Sequence, residues 1–164
     1  MCLTIRKRDK KKTAEDDIPC WKVLDVEAGK EESHTVYSIY FPMEWDLSGD
    51  RVWTAKRKLP SAHSDADMLA MRKKVGKIQA DHDDVVTLIT RHKVNQFNNA
   101  IDQELADVHD GFHSYVSASS ASRDQAFLGD SYRTRVQFYI PKGTEYYTNG
   151  VEYVSVRIGY RRNT

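Results

Sequence analysis

Between Asp110 and Tyr160 the chain reads as extended segments separated by turn residues, and this stretch limits the possible folds more than any other. Val136, Phe138 and Ile140 alternate with Arg135, Gln137 and Tyr139 until Pro141 ends the run. A period of two marks a strand with one apolar face and one face that is wet or turned to a ligand. Val154, Val156, Ile158 and Tyr160 form a second row, opposite Tyr153, Ser155, Arg157 and Gly159. Lys142-Gly143 supplies a permissive backbone position after Pro141, and Asn149-Gly150 is the strongest hairpin signal in the chain. A mostly antiparallel sheet with one covered face is expected.

What covers that face is read from helical periodicity. Val94, Phe97, Ile101, Leu105 and Val108 recur at three- and four-residue intervals and predict a helix over 92–108. A shorter amphipathic helix is expected over 61–75, ended by Gly76. Ile18–Val26 and Thr35–Phe41 read as strands able to pair as a hairpin, with a further short strand at Arg51–Lys56. The expected fold class is therefore α+β: a single compact domain with a mostly antiparallel sheet packed against one long and one or two short helices. Phe97, Ile101, Leu105, Val136, Phe138, Val154 and Val156 should share one core. Residues 1–17 form a basic and then acidic N-terminal segment, flexible or capped by Thr13 as a helical turn near Asp16, and 18–164 form the domain.

The charge balance is nearly neutral, with 25 basic against 24 acidic side chains. It gives no general reason for a nucleic-acid or membrane partner. Residues 6–12 nevertheless hold six bases and one acid, which reads as a solvated tail or as a contact for phosphates. Two cysteines, Cys2 and Cys20, are too few for a disulfide scaffold or a thiolate metal site, and point to the reducing cytoplasm. No apolar run reaches the length of a membrane span. Asp81-His82-Asp83-Asp84 reads as an acidic turn or helix cap, since adjacent residues do not readily converge on one metal ion.

No phosphate-binding glycine loop, HExxH, CxxC or nucleophile elbow is present. A binding protein is therefore favoured over an enzyme. In GFHSY, His113 and Tyr115 share one side of an extended run, about 7 Å apart, and could line one cleft. Trp53, beside the basic cluster that contains Arg57, would suit a planar anionic ligand, although Trp21, Trp45 and Trp53 all read first as packing residues.

Two resemblances add to this reading. Met1-Cys2, an acidic stretch before Cys20–Leu24, the GFHS run at Gly111–Ser114 and the segment Ile140–Tyr147 resemble small uncharacterised proteins of Bacteroidetes and their phages. This resemblance implies a mobile-element origin, with a host protein or a small anionic ligand as partner. The chain is also similar, more faintly, to the ADP-ribosyltransferase fold of bacterial toxins. There Lys22 stands in place of a first-strand Arg or His, Phe112 and Ser114 match a Gly-Phe-x-Ser-like strand, and Glu152 is the late acid. The transferase reading implies NAD as cofactor and Lys22, Ser114 and Glu152 as catalytic candidates; the binding reading uses His113, Tyr115, Lys22, Trp53 and Arg57 and needs no cofactor. A nucleic-acid-binding accessory role is a third reading, with nucleic acid not expected as a partner on charge alone.

Overall fold

A computed structural model describes residues 3–25, 35–38, 44–47, 77–89, 96–99, 101–108, 111–122 and 133–161. They form fourteen strands: β1 (Leu3–Arg6), β2 (Lys12–Thr13), β3 (Ile18–Asp25), β4 (Thr35–Ser38), β5 (Glu44–Asp46), β6 (Lys77–His82), β7 (Val85–Ile89), β8 (Phe97–Asn98), β9 (Leu105–Val108), β10 (Phe112–Tyr115), β11 (Arg133–Ile140), β12 (Glu145–Thr148), β13 (Glu152–Ser155) and β14 (Arg157–Gly159). The expected α+β class is overturned, because no helix of seven or more residues occurs among the described residues. A helical turn at 118–122 is present. The expected helix over 61–75, the strand at 51–56, Trp53 and Arg57 lie outside the described residues.

The strand order explains how the sheet curves. Through its centre it runs β13-β10-β3-β11-β14, yet β13 and β14 are separated only by Val156. Laid flat, four steps of about 4.8 Å would put those strands some 19 Å apart. Ser155 and Arg157 can be no more than about 7 Å apart along the chain. The sheet must therefore roll until its two ends meet, closing a ring through the bend at Val156. Both valine backbone groups are used there: its N–H donates to Glu145 O at 3.4 Å and its carbonyl accepts from Leu88 N at 2.8 Å. Ser155 Oγ donates to Arg157 O at 2.9 Å across the bend.

The bend also overturns the expected continuous row Val154, Val156, Ile158 and Tyr160. Val154 and Val156 pack with Leu3, Ile5, Ala106, Val108 and Tyr147, whereas Ile158 and Tyr160 pack in the main core. An irregularity of one residue sends the second half of the row to the other face. The opposite alternation is retained in β11, where Phe138 and Ile140 are buried and Arg135 and Gln137 are exposed. β11 pairs with β3 along its whole length, from Ile140↔Ile18 to Arg133↔Asp25. Inside the ring, Cys20, Leu24, Phe112, Phe138 and Ile158 form one cluster with Val86 and Leu88. Trp45, fully buried, packs edge-on to Phe138 at 5.1 Å and to Phe112 at 6.3 Å.

Of the helix expected over 92–108, residues 92–95 and 100 lie outside the described residues; 96–99 and 101–108 hold two strands and a turn instead. β8 and β9 pair with each other and with β1 in a separate three-stranded sheet. Asn99 accounts for the difference: its side-chain carbonyl accepts from Ile101 N at 2.8 Å and Asp102 N at 3.0 Å, a local turn that competes with helix. Ile101 is consequently 97% exposed and Phe97 40%, so neither belongs to a core. Ala106 and Val108 are buried at period two against Leu3 and Ile5. The N-terminal strand thus covers the outer side of the ring, and no helical turn forms after Thr13, which lies in β2. β3 pairs with β4 as the hairpin reading expected. Gly143 and Gly150 adopt φ of 86° and 88°, as the two turn signals required. Within the acidic run, Asp83 and Asp84 form the β6–β7 turn, while Asp81 and His82 end β6.

Candidate functional site

The residues singled out in GFHSY sit at the middle of the ring, where strand parity divides them. Tyr115 lies opposite Trp21 on β3 and Glu152 on β13, His113 opposite Val154, and Ser114 opposite Tyr153. Lys22 lies opposite Val136, next in its row to Cys20 opposite Phe138. Directly opposed residues share a face. Lys22 and Ser114 therefore point to the inner face, and His113, Tyr115 and Glu152 to the outer face. The thickness of the sheet separates the catalytic candidates, so a single cleft containing Lys22, Ser114 and Glu152 does not form.

Tyr115, Lys22, Cys20 and Ser114 each have a packing account. Tyr115, 8% exposed, packs with Val23, Trp21 and Ala121 of the helical turn. Lys22 Nζ donates to His113 O on the neighbouring strand at 2.6 Å. Burial strips water from the Lys22 ammonium and lowers its pKa to about 8, and the Cys20 thiol offsets only part of that. Burial also pushes the Cys20 thiol up to about 12, against the smaller opposing effects of Ser114 and Lys22. A thiol at that value is not a nucleophile at neutral pH, and Cys20 packs as a small buried hydrophobe. The Ser114 hydroxyl, on a residue 2% exposed, meets no oxygen or nitrogen partner and has the Cys20 thiol as its neighbour.

A better-formed recess lies along the outer face of β11. It is a cleft of about 440 Å³ with Arg135, Gln137, Tyr139, Tyr160, Arg161 and Asp17 among its lining residues. The alternation of Arg135, Gln137 and Tyr139 marked this face as wet or ligand-facing. Its partners were not legible, because they come from residues 17, 84 and 161. Tyr139 donates a hydrogen bond to Asp84 Oδ2. Arg161 Nε donates to the same oxygen at 2.9 Å, and its NH1 lies 3.4 Å from Asp17 Oδ2. The guanidinium is stacked over the Tyr139 ring, 4.4 Å from the centroid.

Electrostatics hold this corner in one state. Burial by itself would push the Asp84 carboxyl up, but the Tyr139 hydroxyl and the Arg161 guanidinium outweigh it and keep the group below the usual carboxylate range. Burial, and then the hydrogen bond and charge of Asp84, push the Tyr139 phenol up. At the other end of the cleft, Arg135 NH1 donates to Ala118 O at 3.0 Å and to Ser122 Oγ. Each guanidinium carries five N–H donors in a rigid fork, so both arginines are anchored with donors to spare. Asp17 Oδ1 is occupied by Lys142 N at 2.8 Å.

Compared with known proteins, the chain matches no protein family, no curated protein and no solved structure.

Proposed function

We propose that this protein is a non-enzymatic binding module that takes a small anionic ligand, or an anionic side chain of a host protein, in the cleft along β11. The observation that carries this reading is the pair Arg135 and Arg161 in one recess, each fixed by neighbours and each with N–H groups left for a ligand. Gln137 stands exposed between Arg135 and Tyr139 and adds an amide able to donate or accept. Fixed guanidinium forks favour planar carboxylates and phosphates because little side-chain entropy is lost on binding. The Tyr139 ring, held between Arg161 and Gly159, forms a fixed wall of the cleft. The resemblance to phage-borne proteins supports a host molecule as the source of that anion. Cys20 and Ser114, the groups able to act as nucleophiles near the expected site, are enclosed within the ring, which favours binding over turnover.

The test is a calorimetric titration with a panel of nucleoside monophosphates and di- and tricarboxylates, repeated with Arg135→Gln and Arg161→Gln. The reading expects at least one saturable ligand weakened tenfold or more by each substitution, about 1.4 kcal/mol per tenfold. Equal binding by the wild type and both variants would refute the cleft as the site.

A further inference from the structure

We infer that the loop from Arg6 to Lys12 is a second, independent binding surface: a preorganised basic ridge for the phosphate backbone of a nucleic acid. In the sequence this segment reads first as a solvated tail and only second as a contact for phosphates. The structure instead ties it down at several points. Asp9 N donates to Arg6 O at 2.9 Å, and Arg6 N donates to Asp9 Oδ2 at 3.2 Å. Gln96 Nε2 donates to Asp9 O at 2.5 Å, and Lys7 N donates to Glu104 O at 2.9 Å. On either side the loop is continuous with β1 and β2, each paired in a sheet.

Arg6, Lys7, Arg8, Lys10 and Lys12 are all exposed on this pinned backbone, and among the described residues none makes an ion pair. Lys11 differs: it is partly buried, pairs with Glu145 at 3.2 Å and lies 6.0 Å above the Tyr147 ring. The one acid of the loop, Asp9, has a carboxylate oxygen engaged by the Arg6 amide. A chain of net charge +1 therefore holds five cations outside ion pairs on one short, ordered segment, with Asp9 among them and Glu15 and Asp16 sharing a recess with Lys12. Holding like charges together outside ion pairs costs free energy, which a polyanion recovers by releasing its own counterions. No aromatic lies within the loop, so contact with phosphates is expected and stacking on bases is not. An anionic bilayer fits less well, because the exposed Ile101 is followed by Asp102 and carried on the turn that contains Glu104, whose carbonyl accepts from Lys7 N.

Fluorescence anisotropy with a labelled 20-base-pair duplex and the full chain tests this. The expected result is sequence-independent binding whose logarithm falls against log salt with a slope of about −4, close to one unit for each contacting cation. Lys10→Gln and Lys12→Gln should each reduce that slope by about one unit, whereas Lys11→Gln should leave it unchanged, since Lys11 is already engaged. All three remove the same formal charge, so the contrast separates a shaped ridge from a net-charge effect. Thermal unfolding of each variant controls for the fold, and Arg8→Gln gives a further slope if one of them is unstable. No binding at 50 mM salt, an equal loss in all three lysine variants, or binding to phosphatidylserine vesicles with none to the duplex would each overturn the inference.

Discussion

Gly159 lies directly beneath the ring of Tyr139: a Cβ at residue 159 would fall 2.3 Å from the ring carbon Cζ. These two residues are also the register pair joining β11 to β14, the joint that completes the ring. A ring carbon cannot yield by that distance without leaving Asp84 and Arg161. Gly159→Ala should therefore destabilise the protein by about 1–3 kcal/mol, the usual cost of overpacking. Combining it with Tyr139→Ala should give a smaller loss than the two single costs added, as chemical denaturation of the four species in a double-mutant cycle would show. Simple additivity would mean that the ring is not what excludes a side chain at 159.

Phe138 is 2% exposed and touches Trp45 and Tyr160, whereas Ile101 is 97% exposed. Phe138→Ala should cost about 3–5 kcal/mol, and Ile101→Ala should stay within about 0.5 kcal/mol of the wild type. Urea unfolding midpoints distinguish the two. A large cost at Ile101 would restore the helical stripe that the structure rejects.

Leu3 is fully buried against the small sheet and the outer side of the ring. Its truncation to alanine should cost about 2–5 kcal/mol, as for a core leucine. Were residues 1–17 a loose segment, the substitution would have no effect on unfolding and Leu3 would exchange its amide proton as fast as a free peptide.

Lys22 gives a pH-dependent signature. Its folded pKa lies below its unfolded one, about 8 against 10.5, so above pH 8 the unfolded chain binds more protons. Stability should then rise with pH from that contribution, by about 1 kcal/mol between pH 7.5 and 9. Cys20 acts in the opposite sense above pH 9, since its folded value is raised to about 12. The clean comparison is therefore wild type against Lys22→Met between pH 7.5 and 9: the wild type should gain relative to the variant. Parallel stability curves would show that the Lys22 amine is solvated in the folded state.

Parts of this architecture were legible in the residues themselves. The alternation through Val136, Phe138 and Ile140, the hairpin at Asn149-Gly150, the turn at Lys142-Gly143 and the first hairpin strand at Ile18 all depend on neighbours within a few positions. Period-two burial and φ > 0 are local requirements, so local sequence determines them. The wet face carrying Arg135, Gln137 and Tyr139 was visible for the same reason, and it is the face on which the candidate cleft lies.

The remainder was settled by contacts between distant residues. Phe97, Ile101, Leu105 and Val108 satisfy a helical period, yet Asn99 and the chance to cover Leu3 and Ile5 turn the segment into strands; propensity is a weak prior against tertiary packing. The row from Val154 to Tyr160 looks continuous but is broken at Val156, because one strand must serve both ends of a closed ring. Lys22 and Ser114 were separated from Glu152 by register, which a sequence does not display. Asp17, Asp84 and Arg161 meet Tyr139 only because the sheet rolls, and residues 144 positions apart are brought to a single corner by that closure.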